Sequence, residues 1–93
     1  MVIGLLTLEL FLPYSHSLKE KRQVLNAFKD RIRKKFNVAY AELDFQDKWQ
    51  RAKIGIVTVN SQAGFVDQVL QKILAQAELN LEGEILKSEI RYF

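Results

Sequence analysis

Two periodicities run along this chain, and together they predict its elements. Between residues 2 and 12 the even positions Val2, Leu6, Leu8, Leu10 and Leu12 are apolar, while Thr7 and Glu9 fall at odd positions. A period of two describes a strand with one buried face, ended here by Pro13 and the polar run YSHS. From Leu18 the period lengthens. Leu18, Val24, Leu25, Phe28, Ile32 and Phe36 recur on one stripe, which predicts a helix from Leu18 to Lys35, about 27 Å long at 1.5 Å per residue. Ser17 and Glu20 have the spacing of a capping box, in which each side chain satisfies the other residue's free backbone N–H. Arg33 and the lysines of the last turn suit the negative end of the helix dipole.

The second half repeats the scheme. Residues 38 to 46 alternate Ala39, Ala41, Leu43 and Phe45 with Tyr40, Glu42 and Asp44. A tight connection near Asp47 and Lys48 leads to a strand containing Ile54, Ile56, Val57 and Val59, and the pair predicts a β-hairpin. A second helix, capped by Asn60 or Ser61, places Val66, Val69, Leu70, Ile73, Leu74 and Ala77 on one face. Asn80 and Gly83 stop it before a last strand in which Leu86, Ile90 and Tyr92 alternate with Lys87, Glu89 and Arg91. The order βαββαβ, with right-handed crossovers, predicts an α+β, ferredoxin-like domain spanning residues 1–93. Its four-stranded antiparallel sheet carries both helices on one face, with the first and third strands central. The opposite face would show Thr7, Glu9, Phe11, Tyr40, Glu42, Asp44, Val57 and Lys87, among others. That mixture is too apolar in places to be wholly solvated.

Composition narrows the function classes. At 48% apolar and 27% charged the chain is an ordinary globular one. The lack of cysteine removes disulfides, thiolate metal sites and cysteine nucleophiles. The start MVIGLLTLEL has no basic leading region of a signal peptide, and no uncharged run approaches the roughly 18 residues that span a bilayer. A cytoplasmic location without membrane association is expected. Charge is unevenly placed. Residues 15 to 36 hold eight of the fourteen Lys and Arg residues against two acids, so this segment carries +6 and the remainder −3 in a chain of net charge +3.

The segments HSLKEKRQVL, at the start of the first helix, and FNVAYAELDFQDKWQRAKIGIVTV resemble the small bacterial YlxP-like family, a domain of unknown function. SLKEKR and QDKWQRAKIGI are the most specific pieces, and the resemblance extends over essentially the whole chain. It implies a ferredoxin-like fold and a gene neighbourhood among translation and ribosome-maturation factors. It implies no established activity and supplies no catalytic residue to carry over.

The basic helix is the leading candidate surface. At about 100° per residue, Lys19, Arg22, Asn26, Lys29 and Arg33 fall in one sector beside the apolar stripe, and Lys34, Arg31 and Lys35 extend the charge toward the far side. Such an array can follow a phosphate backbone and release its counterions, which points to structured RNA or a ribosomal subunit as partner. A solvated helix face, helped by Glu20 and Asp30, is the plain alternative. Lys21 stands in the apolar stripe where leucine is expected. Its stem is expected to snorkel to water; the alternative is that its charge meets an acid or a bound anion, in a candidate anion site with Ser15 and His16 at the helix start.

His16 is the only histidine and no Ser–His–Asp arrangement surrounds it, so no catalytic residue, metal site or cofactor is expected. FLPYSHS lacks the Gly-rich, arginine-bearing phosphate loop of acylphosphatases, which share the strand order. RNA-recognition modules stack bases on aromatics of the central strands, whereas KIGIVTV offers aliphatics. Trp49 is expected to pack under the end of the sheet or support the turn, with a protein contact as the other reading. A second function class is a protein-interaction module, a homodimer that pairs two open sheet faces through Phe11, Tyr40 and Val57.

Overall fold

The computed structural model describes all residues, 1–93. Strand β1 (Val2–Phe11), helix α1 (Leu18–Lys35), strands β2 (Ala39–Asp44) and β3 (Arg51–Asn60), helix α2 (Ala63–Asn80) and strand β4 (Glu84–Tyr92) follow one another. They form one antiparallel sheet in the order β2-β3-β1-β4. This is the ferredoxin-like α+β fold, with β1 and β3 central. Leu6, Leu8, Leu10 and Leu12 are buried beside Ala52, Ile54 and Ile56 of β3, under Leu25, Phe28 and Ile32 of α1 and Val66, Leu70 and Ile73 of α2. Both helices therefore cover the face presented by the even positions of β1. Helix α2 comes close to the sheet over Gly4, where an added Cβ would lie 2.4 Å from Val66 Cγ1.

The helix starts differ in detail from the expected caps. Ser17 Oγ accepts the Glu20 N–H at 3.1 Å, which is half of the capping box. The return bond goes elsewhere: Glu20 Oε2 accepts the His16 N–H at 2.8 Å rather than that of Ser17. Before α2, Asn60 Oδ1 accepts the Gln62 N–H at 3.0 Å, and Gln62, not Asn60 or Ser61, occupies the cap position without a side-chain bond to the helix.

The hairpin corrects the assignment of faces. Tyr40 lies opposite Ile56 and Glu42 opposite Ile54, so both point to the helices. Ala39, Ala41 and Leu43 take the open face, where Leu43 lies over Gly55 and would meet a Cβ there at 2.9 Å. Alternation alone leaves the choice between two faces open. Two groups decide it: the Tyr40 ring packs on the core, and Glu42 meets a charge beneath the helix. The register then shifts between Glu42 and Asp44, leaving Leu43 as the extra residue. A matching shift in β4 pairs Leu10 with Ile85 and Glu9 with Lys87, so Ile85 turns inward and Leu86 is left exposed, the reverse of its expected placement. Bulges of this kind change which residues face the core without altering strand order.

Candidate functional site

Lys21 organises the ground beneath the candidate surface. Its side chain is 1% exposed, so it does not snorkel to water. The ammonium donates to the carbonyls of Phe45 at 2.6 Å and Lys48 at 2.8 Å. Its third side meets Glu42 Oε2 at 2.7 Å, an ionic contact outside hydrogen-bond geometry. The acid reading of Lys21 is therefore the one realised, with an acid from β2. The ammonium is taken up by three oxygens of the hairpin and does not join Ser15 and His16 in an anion site. Ser15 Oγ donates to the Ser17 carbonyl at 3.1 Å, and the His16 N–H is held by Glu20. Next to Glu42, burial first and the carboxylate second push the Tyr40 phenol well above its ordinary value, and its hydroxyl is buried without a hydrogen-bond partner.

These contacts fix a loop. Residues 45 to 50 turn through Phe45, whose φ of 62° is left-handed and whose N–H is held by Asp44 Oδ1 at 2.7 Å. The Arg51 guanidinium lies 4.7 Å from the centre of the Phe45 ring. Gln50 Nε2 donates to the carbonyls of Pro13 and Ser15, tying the hairpin to the loop that enters α1. Sequence reasoning missed Gln50 and Glu42; the signal for Glu42 was the lysine in an apolar stripe, which demands a partner. Trp49 is 55% exposed on this loop, so it is neither core nor buried turn support.

On α1 above the clamp, Lys19, Arg22, Asn26 and Arg33 are exposed and Lys29 is half-buried. At about 100° per residue they occupy one flank. The opposite flank faces a groove of about 250 Å³ lined by Gln23, Ala27 and Arg31 of α1 and by Asn80 and Leu81 at the end of α2. The cationic flank is thus the one turned away from α2. Lys34 is exposed and, at about 100° per residue, falls on the side of Gln23 and Ala27, and Arg31 lines the groove, so neither belongs to the ridge. The ion pairs of the molecule are Lys21–Glu42 and Arg91–Glu89, so none of the seven remaining cations of α1 is neutralised by a carboxylate within 4.0 Å.

On the far side of the sheet, Phe11 and Val57 lie on the open face as expected, whereas Tyr40 does not. Ile3, Leu5, Leu43 and Val59 supply the apolar area there instead. No helix is long and apolar enough to cross a membrane, and no group of three or more His, Asp or Glu side chains is placed to hold a metal ion.

A ferredoxin-like domain with an unneutralised cationic flank on its first helix is the class these features define. The family model described as "Protein of unknown function (DUF503)" matches residues 3–90, and the chain belongs to that family. It is 40% identical over 74 residues to "Uncharacterized protein YlxP" of Bacillus subtilis (strain 168), covering 80% of each chain. Among solved structures, the de novo designed protein Ferredog-Diesel aligns with 98% of this chain and 83% of its own at a TM-score of 0.48 and 16% identity.

Proposed function

We propose that this protein is a non-enzymatic RNA-binding protein that lays the outer flank of α1 along the phosphate backbone of structured RNA, such as that of a ribosomal subunit. The observation that carries the reading is the absence of carboxylate partners for the cations of α1, on a helix that its own buried lysine anchors to the hairpin. Arg22, Lys29 and Arg33 are separated by about 10 Å and about 6 Å along the axis, spacings that suit successive contacts to a polyanion rather than a single bound phosphate. Contacts of this kind position a protein by charge and shape without reading base edges. The family resemblance implies a translational setting, which favours RNA over DNA. The open sheet face is the poorer surface for nucleic acid, since Glu9 and Glu89 lie where a base-stacking module would bind its strand.

Binding to ribosomal subunits and to structured RNA, with duplex DNA as control, should weaken steeply with salt. Three to five neutralised phosphates correspond to a log–log slope of about −2.7 to −4.5 at the value for a duplex. The combined change Arg22→Glu, Lys29→Glu and Arg33→Glu should abolish binding while leaving the circular dichroism spectrum intact. Binding that survives this change, or that ignores salt, would refute the helix as the surface.

A further inference from the structure

The open face of the sheet carries apolar side chains that nothing in the chain covers. Val57 is 37% and Val59 50% exposed, with the half-buried Ile3 and Leu5 beside them. The register sets these residues in rows across the two central strands: Ile3 beside Val59, Leu5 beside Val57, Thr7 beside Gly55 and Glu9 beside Lys53. Along the central pair, therefore, an apolar stretch is followed by opposite charges, with Phe11 beside Arg51 in the last row and Arg91 of β4 at the edge of the Leu5 row. Glu9 and Lys53 are strand neighbours yet form no ion pair with each other.

We propose that a second copy of this chain covers this face, related by a two-fold axis that runs parallel to the strands midway between β1 and β3. Such an axis keeps every row at its own level and exchanges the two central strands. Val57 then lies over Leu5 of the partner subunit, Val59 over the partner's Ile3, and Lys53 over the partner's Glu9. At the margins β2 lies over the partner's β4, where small Ala39 and Ala41 leave room for the partner's Arg91 and Glu89. Lys53 of each copy meets Glu9 of the other without any change of register, and Phe11 of each lies over Arg51 of the other. An axis across the strands at the level of Thr7 would instead lay the valine and leucine row on Lys53 and Glu9, burying both charges against apolar side chains. Charge and apolar pattern thus select one of the two simple arrangements.

The area is sufficient. Four strands about 4.8 Å apart, of ten, six, ten and nine residues rising about 3.3 Å each, make a face of on the order of 550 Å². Two such faces bury roughly 1,100 Å², just above the roughly 1,000 Å² that a specific interface needs. Both helices remain outward, so the dimer neither requires nor blocks the RNA surface of α1.

A charge exchange read by sedimentation tests the proposal. The parent protein should be dimeric at about 10 µM. Lys53→Glu sets acid against acid across the axis and Glu9→Lys sets base against base, so each should raise the dimer Kd by at least about tenfold. The double variant carrying both changes should return to the parent's Kd. Val57→Asp, at an exposed position, should give a folded monomer by circular dichroism. A parent that stays monomeric at about 100 µM, single variants that dimerise as well as the parent, or a double variant that fails to recover would each overturn the arrangement.

Discussion

Lys21 sits where the apolar stripe of α1 asks for leucine, and its partners explain why a charge is retained there. Removing one member of a buried ion pair leaves the other charge uncompensated, at a cost of about 3–5 kcal/mol. Lys21→Met should therefore destabilise by that order in urea unfolding, and it also strips the Phe45 and Lys48 carbonyls of their donor. The double change Lys21→Met with Glu42→Leu should recover part of the loss, leaving the two carbonyl bonds at about 1 kcal/mol each. Tyr40 behaves in the opposite way. Its buried hydroxyl makes no hydrogen bond, so Tyr40→Phe should be neutral or stabilising at neutral pH. The phenol's value is raised in the folded protein, so the folded state holds that proton when the unfolded chain begins to lose it near pH 10.0. The resulting stability is complete below that pH and is lost as pH rises through the higher folded value. Urea midpoints of the parent should fall more steeply above pH 10.0 than those of Tyr40→Phe.

Among the elements, the strands carry more irregularity than the helices. The bulge in β4 turns Leu86 out of its expected face, the one in β2 falls at Leu43, already on the open face with Ala39 and Ala41, and both leucines stand about half exposed. The two shifts flank the central pair, whose own register is unbroken from Val2 to Phe11. Helix α2 depends on the first strand for its approach. Gly4→Ala would place a methyl group 2.4 Å from Val66 Cγ1 and 2.8 Å from Leu70 Cδ1. Overpacking of this kind costs typically 1–3 kcal/mol, so the melting temperature should fall by several degrees while the secondary structure content is preserved. A Gly4→Ala variant as stable as the parent would show that α2 can shift away from the sheet.

For the whole molecule, the sheet separates two surfaces that the chain's charge balance sets apart. Helices lie on one face, and the cationic flank of α1 faces away from α2 on that side. Glu9, Glu89, Lys53 and Lys87 share the other face with apolar side chains. Because the sheet stands between them, variants on one surface should leave the other's behaviour intact. Exchanging Glu9 and Lys53 by charge should leave the salt slope of RNA binding per protomer unchanged. Conversely, the triple glutamate change on α1 should leave the sedimentation behaviour unchanged. Loss of both properties on altering either surface would mean that binding and association are one event at one interface.

The pattern of residues along the chain was enough to fix the elements, their order and the buried faces of β1, α1 and α2. The period of β1 marks Leu6, Leu8, Leu10 and Leu12 as core, and the stripe of α1 marks Leu25, Phe28 and Ile32. These are legible because a long run of strong apolar residues has only one way to be buried. The concentration of lysine and arginine between residues 15 and 36 was equally plain, and so was the common flank of Lys19, Arg22, Lys29 and Arg33. Packing alone set which way β2 faces, where Lys21 places its charge, and that Trp49 stands more than half exposed. In β2 small alanines alternate with a tyrosine and a glutamate, so neither face is favoured by burial until Lys21 arrives from α1, 21 residues earlier, to neutralise Glu42. Pairing between residues so far apart in the chain is a property of packed elements, and no local pattern contains it.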